Sequence, residues 1–165
     1  MRSFARFVVV SLMVMLTACQ AATPAQPQAL LTPLEEARAV LTAYLDALAA
    51  AKYPLAAQYY GGSPEILQGY NPDIAAEDLP ALLEAACSRN GFMCLPIKTI
   101  VSEDALSEDS FVFEVEFLTR DGQLFEQGPC CGADPEGFVP VRQFSFQVQR
   151  NAQGYQVLDL PPYIP

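Results

Sequence analysis

Cysteine, tyrosine and carboxylate side chains are the groups in this chain that could do chemistry, because its 165 residues include no histidine. Histidine is the commonest general base and the commonest metal ligand in proteins. A catalytic triad or a cysteine dyad that needs an imidazole is therefore excluded. The five cysteines become the first candidates for a chemical role.

Cys19 closes an N-terminal segment that has the layout of a secretory signal. Arg2 and Arg6 give it a positive start, and the run from Phe7 to Leu16 is apolar at all but one position. The last four residues, Leu16-Thr17-Ala18-Cys19, resemble the lipobox of bacterial lipoproteins. This resemblance implies that residues 1–18 are a signal peptide and that the Cys19 thiol carries a diacylglycerol.

The alternative interpretation of the apolar run is a transmembrane helix, which needs about 20 apolar residues. The run from Phe7 to Leu16 is about half that length. Two or more acyl chains anchor a protein stably, whereas a single chain binds only reversibly. We therefore expect an exported protein held on a membrane by the lipid on Cys19 and facing the periplasm or the cell exterior.

The residues from Cys19 onward divide into a tether and one domain. Residues 19–31 are mostly Ala, Gln and Pro, which predicts a lipid-anchored tether, and residues 32–165 are long enough for a single globular domain. The net charge is −10, and the loss of Arg2 and Arg6 with the signal would make it −12. Because so acidic a surface repels phosphate backbones, no nucleic-acid partner is expected.

The four other cysteines are Cys87, Cys94, Cys130 and Cys131. Their spacing fits a zinc site poorly, since such sites favour C-x-x-C pairs, and an exported domain favours disulfides. The predicted hairpin registers place Cys130 opposite Phe113 and Cys94 opposite Thr119, so Cys94 and Cys130 lie six residues, or roughly 20 Å, apart along the strands. We therefore predict a disulfide between Cys87 and Cys94, with Cys130 and Cys131 joined to each other or reduced, and no metal or other cofactor.

Three helices are predicted in the first half of the domain. Thr32, Pro33 and Glu35 form a capping-box pattern that opens a helix running to about Ala51. A second, short helix begins at Pro54, and a third follows Asp78. Residues 63–77 carry turn dipeptides and are predicted to be irregular, with a short strand or a packed loop within them.

In the second half of the domain, the apolar residues repeat with the two-residue period of a β-strand. Apolar residues alternate in the segments beginning at Leu95, Phe111 and Phe144, and Asp121-Gly122 predicts a tight hairpin leading into a strand near 123–128. A last short strand contains Tyr155. The pattern predicts an α+β fold in which three N-terminal helices pack on one face of a curved antiparallel sheet of about five strands.

The order of these elements resembles the nuclear transport factor 2-like superfamily, as do the segments 39–48, AVLTAYLDAL, and 52–60, KYPLAAQYY. The resemblance covers about residues 32–161. It implies a cone-shaped domain in which the helices and sheet enclose an apolar pocket. The candidate pocket residues are Leu41, Tyr44, Tyr59, Phe113, Phe117, Phe144 and Phe146.

Tyr44 is the one inward-facing residue with a catalytic option, since enzymes of that superfamily use an inward Asp, His or Tyr. Helical geometry points Asp46 to solvent, and strand alternation points Glu114 and Glu116 away from the pocket. No carboxylate can be placed beside Tyr44, so we predict no catalytic residue and a binding or interaction domain for an apolar ligand or a protein. A small cavity enzyme of isomerase or dehydratase type that uses Tyr44 is the alternative.

Overall fold

The structure is a computed structural model that describes residues 31–129 and 137–164. The predicted signal, Cys19, the tether up to residue 30, Cys130 and Cys131 lie outside these residues. The described elements are α1 (Pro33–Ala49), α2 (Tyr53–Tyr59), α3 (Glu65–Tyr70), α4 (Leu79–Arg89), β1 (Ile97–Ser107), β2 (Ser110–Phe117), β3 (Phe144–Asn151) and β4 (Gly154–Val157). None of the helices in the described part of the chain is long and apolar enough to cross a bilayer.

The α+β class is confirmed, with four helices and four strands in the described residues instead of three and about five. The strands form one open antiparallel sheet in the order β1-β2-β3-β4. Helix α1 contacts all four strands from one face of this sheet. The core therefore lies between α1 and the sheet.

The first helix begins with the predicted capping box, which is present in full. The Thr32 hydroxyl accepts from the Glu35 amide, and the Glu35 carboxylate accepts from the Thr32 amide. At the other end, Ala51 has a φ of 54°. The amides of Ala51 and Lys52 donate back to the carbonyls of Leu48 and Ala47, which is a Schellman ending that stops α1 at Ala49.

Alternation in β2 and β3 is confirmed, because the inward residues of β2 are buried and those of β3 are buried at Phe146 and Val148 and partly buried at Phe144. Phe113 of β2 pairs with Phe146 of β3, and both side chains are almost fully buried. Strand β1 departs from simple alternation, since its register against β2 shifts between Ile97 and Thr99 and again between Ile100 and Ser102. As a result Ile97 and Ile100 pack on the core, while Val101, which the alternation from Leu95 would place on the same face as Ile97, is 45% exposed.

The predicted strand near 123–128 is wrong in the described structure. The turn at Asp121-Gly122 forms, with Gly122 at a φ of 80°, and the Phe125 amide donates to the Phe117 carbonyl. Strand β3 then occupies the edge of β2 from Val115 to Ser110, so the hairpin cannot continue. Phe113 therefore has Phe146 of β3 and Glu103 of β1 as its strand partners, so the predicted hairpin register that pairs Phe113 with the segment after the turn is wrong; Cys130 itself lies outside the described residues.

Residues 65–70 form helix α3, where an irregular segment was predicted. Only Leu67 of this six-residue helix is buried, so the segment carries no amphipathic pattern. The Asn71 side chain donates to the Leu67 carbonyl at 2.9 Å and thereby caps the end of the helix. This local contact stabilises a helix that the apolar pattern does not reveal.

A disulfide joins Cys87, in the last turn of α4, to Cys94, with 5.5 Å between the two Cα atoms. This pairing confirms the prediction for these two residues. The C-terminal segment supports the same loop, because the Met93 amide donates to the Pro162 carbonyl and the Ile164 amide donates to the Gly91 carbonyl. The disulfide and the C-terminal segment therefore lie at the end of the domain where β1 begins.

Candidate functional site

The seven predicted pocket residues lie together in the hydrophobic core. Five of them are at most 1% exposed, and the other two are partly buried and pack against that cluster. The five are Leu41, Tyr44, Phe113, Phe117 and Phe146, and the two are Tyr59 and Phe144. None of the seven lines the clefts described below.

Tyr44 is fully buried, and its ring stacks on that of Tyr60 with 6.0 Å between the ring centroids. Its hydroxyl has no hydrogen-bond partner among the described residues. The Tyr60 hydroxyl, in contrast, donates to the Ser63 carbonyl at 3.2 Å. The contact between α1 and the end of α2 thus places two phenols in the interior. Of these, only the Tyr60 hydroxyl has a hydrogen-bond partner among the described residues.

Burial raises the pKa of Tyr44 well above its usual value, and Tyr60 and Asp159 raise it further. Burial and Asp159 raise the pKa of Tyr60 to about 12. Both phenols are therefore neutral at physiological pH and can act as hydrogen-bond donors but not as bases. Asp159 was missed by sequence reasoning, because it follows β4 in a segment without periodic pattern; its carboxylate accepts the Gln147 amide at 2.6 Å.

The other carboxylates considered for catalysis lie away from this interior. Asp46 is exposed on α1, as predicted. Glu114 accepts from the Ser145 hydroxyl, and Glu116 accepts from Lys98 at 2.9 Å, on the sheet face opposite the buried rings. The Lys98 contact is also the main reason that the pKa of Glu116 is lowered.

An open cleft of about 650 Å³ lies where the first turn of α1 meets the β1–β2 turn. We name it the entry cleft, because α1 is the first element of the domain. It is lined by Thr32, Pro33, Leu34, Ala105, Ser107, Glu108, Asp109, Phe111 and Arg150. Two smaller clefts, of about 190 Å³ and 400 Å³, lie beside the disulfide and against α4.

Arg150 is the cation of the entry cleft, and its side chain is held on three sides. Its guanidinium donates to Glu36 at 2.9 Å, pairs with Asp109 at 3.4 Å and lies 4.4 Å from the centroid of the Tyr155 ring. Its backbone amide also donates to the Asp109 carbonyl at 2.8 Å. These contacts join α1, the β1–β2 turn and β3 around one side chain.

Sequence reasoning did not find the entry cleft. Its first-turn residues serve as a helix cap, and Glu108 and Asp109 have the pattern of a solvated turn. The cleft arises because Ala105 and Ser107, at the end of β1, have small side chains where α1 approaches. Small residues at the end of an amphipathic strand would be the signal to look for.

The described residues contain no group of three Cys, Asp or Glu side chains arranged to hold a metal ion. No protein-family model matches the chain, and no match was found among curated proteins or solved structures.

Proposed function

We propose that this protein is a lipid-anchored extracytoplasmic domain that acts by binding and has no catalysis of its own. The anchor is a diacylglycerol on Cys19, and residues 19–31 tether the domain to the membrane surface. The lipobox sequence Leu16-Thr17-Ala18-Cys19 supports this part of the proposal. Membership of the nuclear transport factor 2-like superfamily, with its cone-shaped pocket, stays a prediction.

The observation that carries the binding function is the contrast between a filled interior and an open cleft. The side chains of Tyr44, Phe113 and Phe146 are at most 1% exposed, so they offer a ligand no surface. The entry cleft has a volume of about 650 Å³, within the range of roughly 300–1,000 Å³ that is usual for small-molecule sites. We therefore place ligand binding in the entry cleft and not in the interior.

The proposed tether joins the domain at the same place, because Thr32 both follows the tether and lines the cleft. A coil of thirteen residues, the length of the proposed tether, has an end-to-end distance of roughly 20 Å. A ligand in the entry cleft would consequently be held within a few nanometres of the headgroups. This position suits capture or transfer of a molecule at the membrane surface.

The anchor is tested by metabolic labelling with a fatty acid. Cys19→Ser should abolish label and release the protein from membranes or leave it unprocessed. Cys130→Ser is the matched control and should keep full labelling. Label that persists on the Cys19→Ser protein would refute the anchor.

The binding function is tested by native mass spectrometry of the full protein isolated from its host in mild detergent. We expect a retained small molecule that is lost in Ala105→Trp, whose indole fills the cleft. Thr99→Trp, an exposed position on the same strand, is the matched control and should keep the molecule. Retention in Ala105→Trp would show that the entry cleft is not the site.

One observation favours the alternative of a small isomerase-type or dehydratase-type enzyme. The buried Tyr44 hydroxyl has no partner among the described residues. An unsatisfied buried donor costs about 1–3 kcal/mol, and such groups deserve a functional explanation. In this alternative the interior opens to a substrate and Tyr44 donates to it, so Tyr44→Phe would abolish turnover while the fold remains intact.

A further inference from the structure

The entry cleft combines an apolar floor with charged walls. Leu34 from α1 packs against the core, Phe111 from β2 belongs to it, and Ala105 of β1 pairs with Phe111; all three line the cleft. Glu108 and Asp109 stand at the β1–β2 turn, both exposed to solvent. A ligand that fits this cleft needs an apolar body and a polar or charged end.

The guanidinium of Arg150 is not available to an anionic ligand. It already contacts the carboxylates of Glu36 and Asp109, at 2.9 Å and 3.4 Å, and its flat face is turned to the Tyr155 ring. An anion that entered the cleft would have to displace one of these carboxylates and would then lie beside it. Arg150, the one cation among the described residues of the cleft wall, is therefore compensated before a ligand arrives.

The N-terminus of α1, which would otherwise favour an anion, is compensated as well. The Glu35 carboxylate accepts the Thr32 amide and the Thr32 hydroxyl at 2.7 and 2.8 Å. Thr32 is also the first reason that the pKa of Glu35 is lowered, which keeps this carboxylate ionised. Glu36 adds a second negative charge in the same turn.

Negative charge is in excess around the cleft. Among the described residues of its walls and of the first turn of α1, there are four carboxylates and one guanidinium group, an excess of three negative charges. The carboxylates belong to Glu35, Glu36, Glu108 and Asp109, and the guanidinium group belongs to Arg150. Arg38, in the next turn of α1, forms an ion pair with Glu103 of β1 and does not change this excess.

We propose that the entry cleft binds an organic cation, an ammonium group attached to an alkyl or aryl body. The apolar body lies on Leu34, Ala105 and Phe111, and the ammonium group faces Glu108 and Asp109. This inference rests on the proposed binding function and adds the ligand class to it. Because both carboxylates are exposed, the charge preference must weaken with ionic strength, as the screening length is only about 10 Å at 0.1 M salt.

Three probes of matched shape test the charge preference. Benzyltrimethylammonium is the cation, neopentylbenzene is its uncharged isostere, and phenylmethanesulfonate is the anion. Binding to the full chain is followed by isothermal titration calorimetry or by ligand-observed NMR at low salt. We expect the cation to bind about tenfold more tightly than the anion, which corresponds to about 1.4 kcal/mol, and this ratio to shrink as salt is added.

Glu108→Gln sharpens the test, because it removes a carboxylate from the cleft and leaves the contacts of Arg150 intact. It should weaken cation binding about threefold, a loss of the size expected for one exposed charge contact, and leave the uncharged probe unaffected. Glu77→Gln makes the same change at an exposed position just before α4 and should have no effect. Glu108 lies in a surface turn, so the variant is expected to fold.

The outcomes separate the ligand class from the binding function. Equal affinity for the cation and the anion, or cation binding that Glu108→Gln leaves unchanged, would overturn the ligand class. A molecule retained on the protein from its host would then still support the binding function. If no probe bound and no molecule were retained, both proposals would be overturned.

Discussion

The interior around Tyr44 and the entry cleft are built from the same two layers, helix α1 and the sheet. In the interior, Leu41 and Tyr44 of α1 share one core cluster with the large rings of Phe113 and Phe146, and all four side chains are at most 1% exposed. At the entry cleft the same helix meets small residues at the end of β1, and a volume of about 650 Å³ remains open. The size of the side chains that face each other thus decides whether the two layers close on a core or leave a site.

The largest effect is expected from opening the interior. Phe113→Ala should lower the free energy of unfolding by about 3–5 kcal/mol, because a buried ring is lost and a cavity remains. Ala105→Ser, in the entry cleft, should change it by no more than about 0.5 kcal/mol. Urea unfolding of both variants makes the comparison, and a loss below about 1 kcal/mol for Phe113→Ala would mean that this ring lines an open pocket.

The next largest loss of stability is expected from removing the disulfide, which lies at the end of the domain away from the cleft. Replacing Cys87 and Cys94 together with Ser should lower stability by about 2 kcal/mol, as expected for a short closed loop. Binding in the entry cleft should be unchanged, since the 11 residues of β1 separate the two ends by roughly 30 Å. Peptide mapping without reduction would contradict the pairing if Cys94 were linked to Cys130 or Cys131.

Alkaline pH should destabilise the interior around Tyr44 and Tyr60 and leave the entry cleft unaffected. The pKa of Tyr60 is about 12 in the folded protein and that of Tyr44 is also well above its usual value of 10.0. Since the pKa values of both phenols are raised in the folded state, the two neutral phenols contribute their full stabilisation below about pH 10. This contribution is lost as the pH rises towards about 12.

Urea midpoints measured at pH 8, 10 and 11 should therefore fall at the highest pH. The double variant Tyr44→Phe/Tyr60→Phe is the control and should lose most of this dependence. A midpoint in the unsubstituted protein that stayed constant up to pH 11 would show that the two phenols are accessible to water.

A pair of single tyrosine variants gives the smallest expected effects, and these differ in sign. Tyr44→Phe should raise stability by about 1 kcal/mol, because it removes a buried hydroxyl that has no partner among the described residues. Tyr60→Phe should lower stability by about 1 kcal/mol, because it removes the bond to the Ser63 carbonyl. Loss of stability in Tyr44→Phe would mean that the Tyr44 hydroxyl has a hydrogen-bond partner, whereas loss of a turnover shown by the unsubstituted protein would favour the enzyme alternative.

Local sequence patterns predicted the parts of the fold that depend on neighbouring residues. The Thr32–Glu35 capping box, the alternation of β2 and the Asp121-Gly122 turn each depend on residues a few positions apart, and the structure contains all three. Helix α3 was not predicted, because it buries one residue, Leu67, and its capping contact comes from the Asn71 side chain.

The pairing of strands and the position of the entry cleft could not be predicted from such local patterns. The segment after Asp121-Gly122 has the composition of a strand, but β3 takes the edge of β2 that it would need. The register shifts in β1 likewise depend on its partner strand, so the outward position of Val101 could not be inferred from alternation. The entry cleft needs residues from α1, the β1–β2 turn and β3, and two of its lining residues, Leu34 and Arg150, are more than 110 positions apart in the sequence.

The central claim is that ligand binding takes place in the entry cleft and not in the interior. Intermolecular NOEs from the methyl groups and ring of bound benzyltrimethylammonium test it most directly. We predict NOEs to the side-chain protons of Leu34, Ala105 and Phe111. NOEs to the rings of Tyr44 and Phe146 would contradict the claim and would place the ligand in the interior.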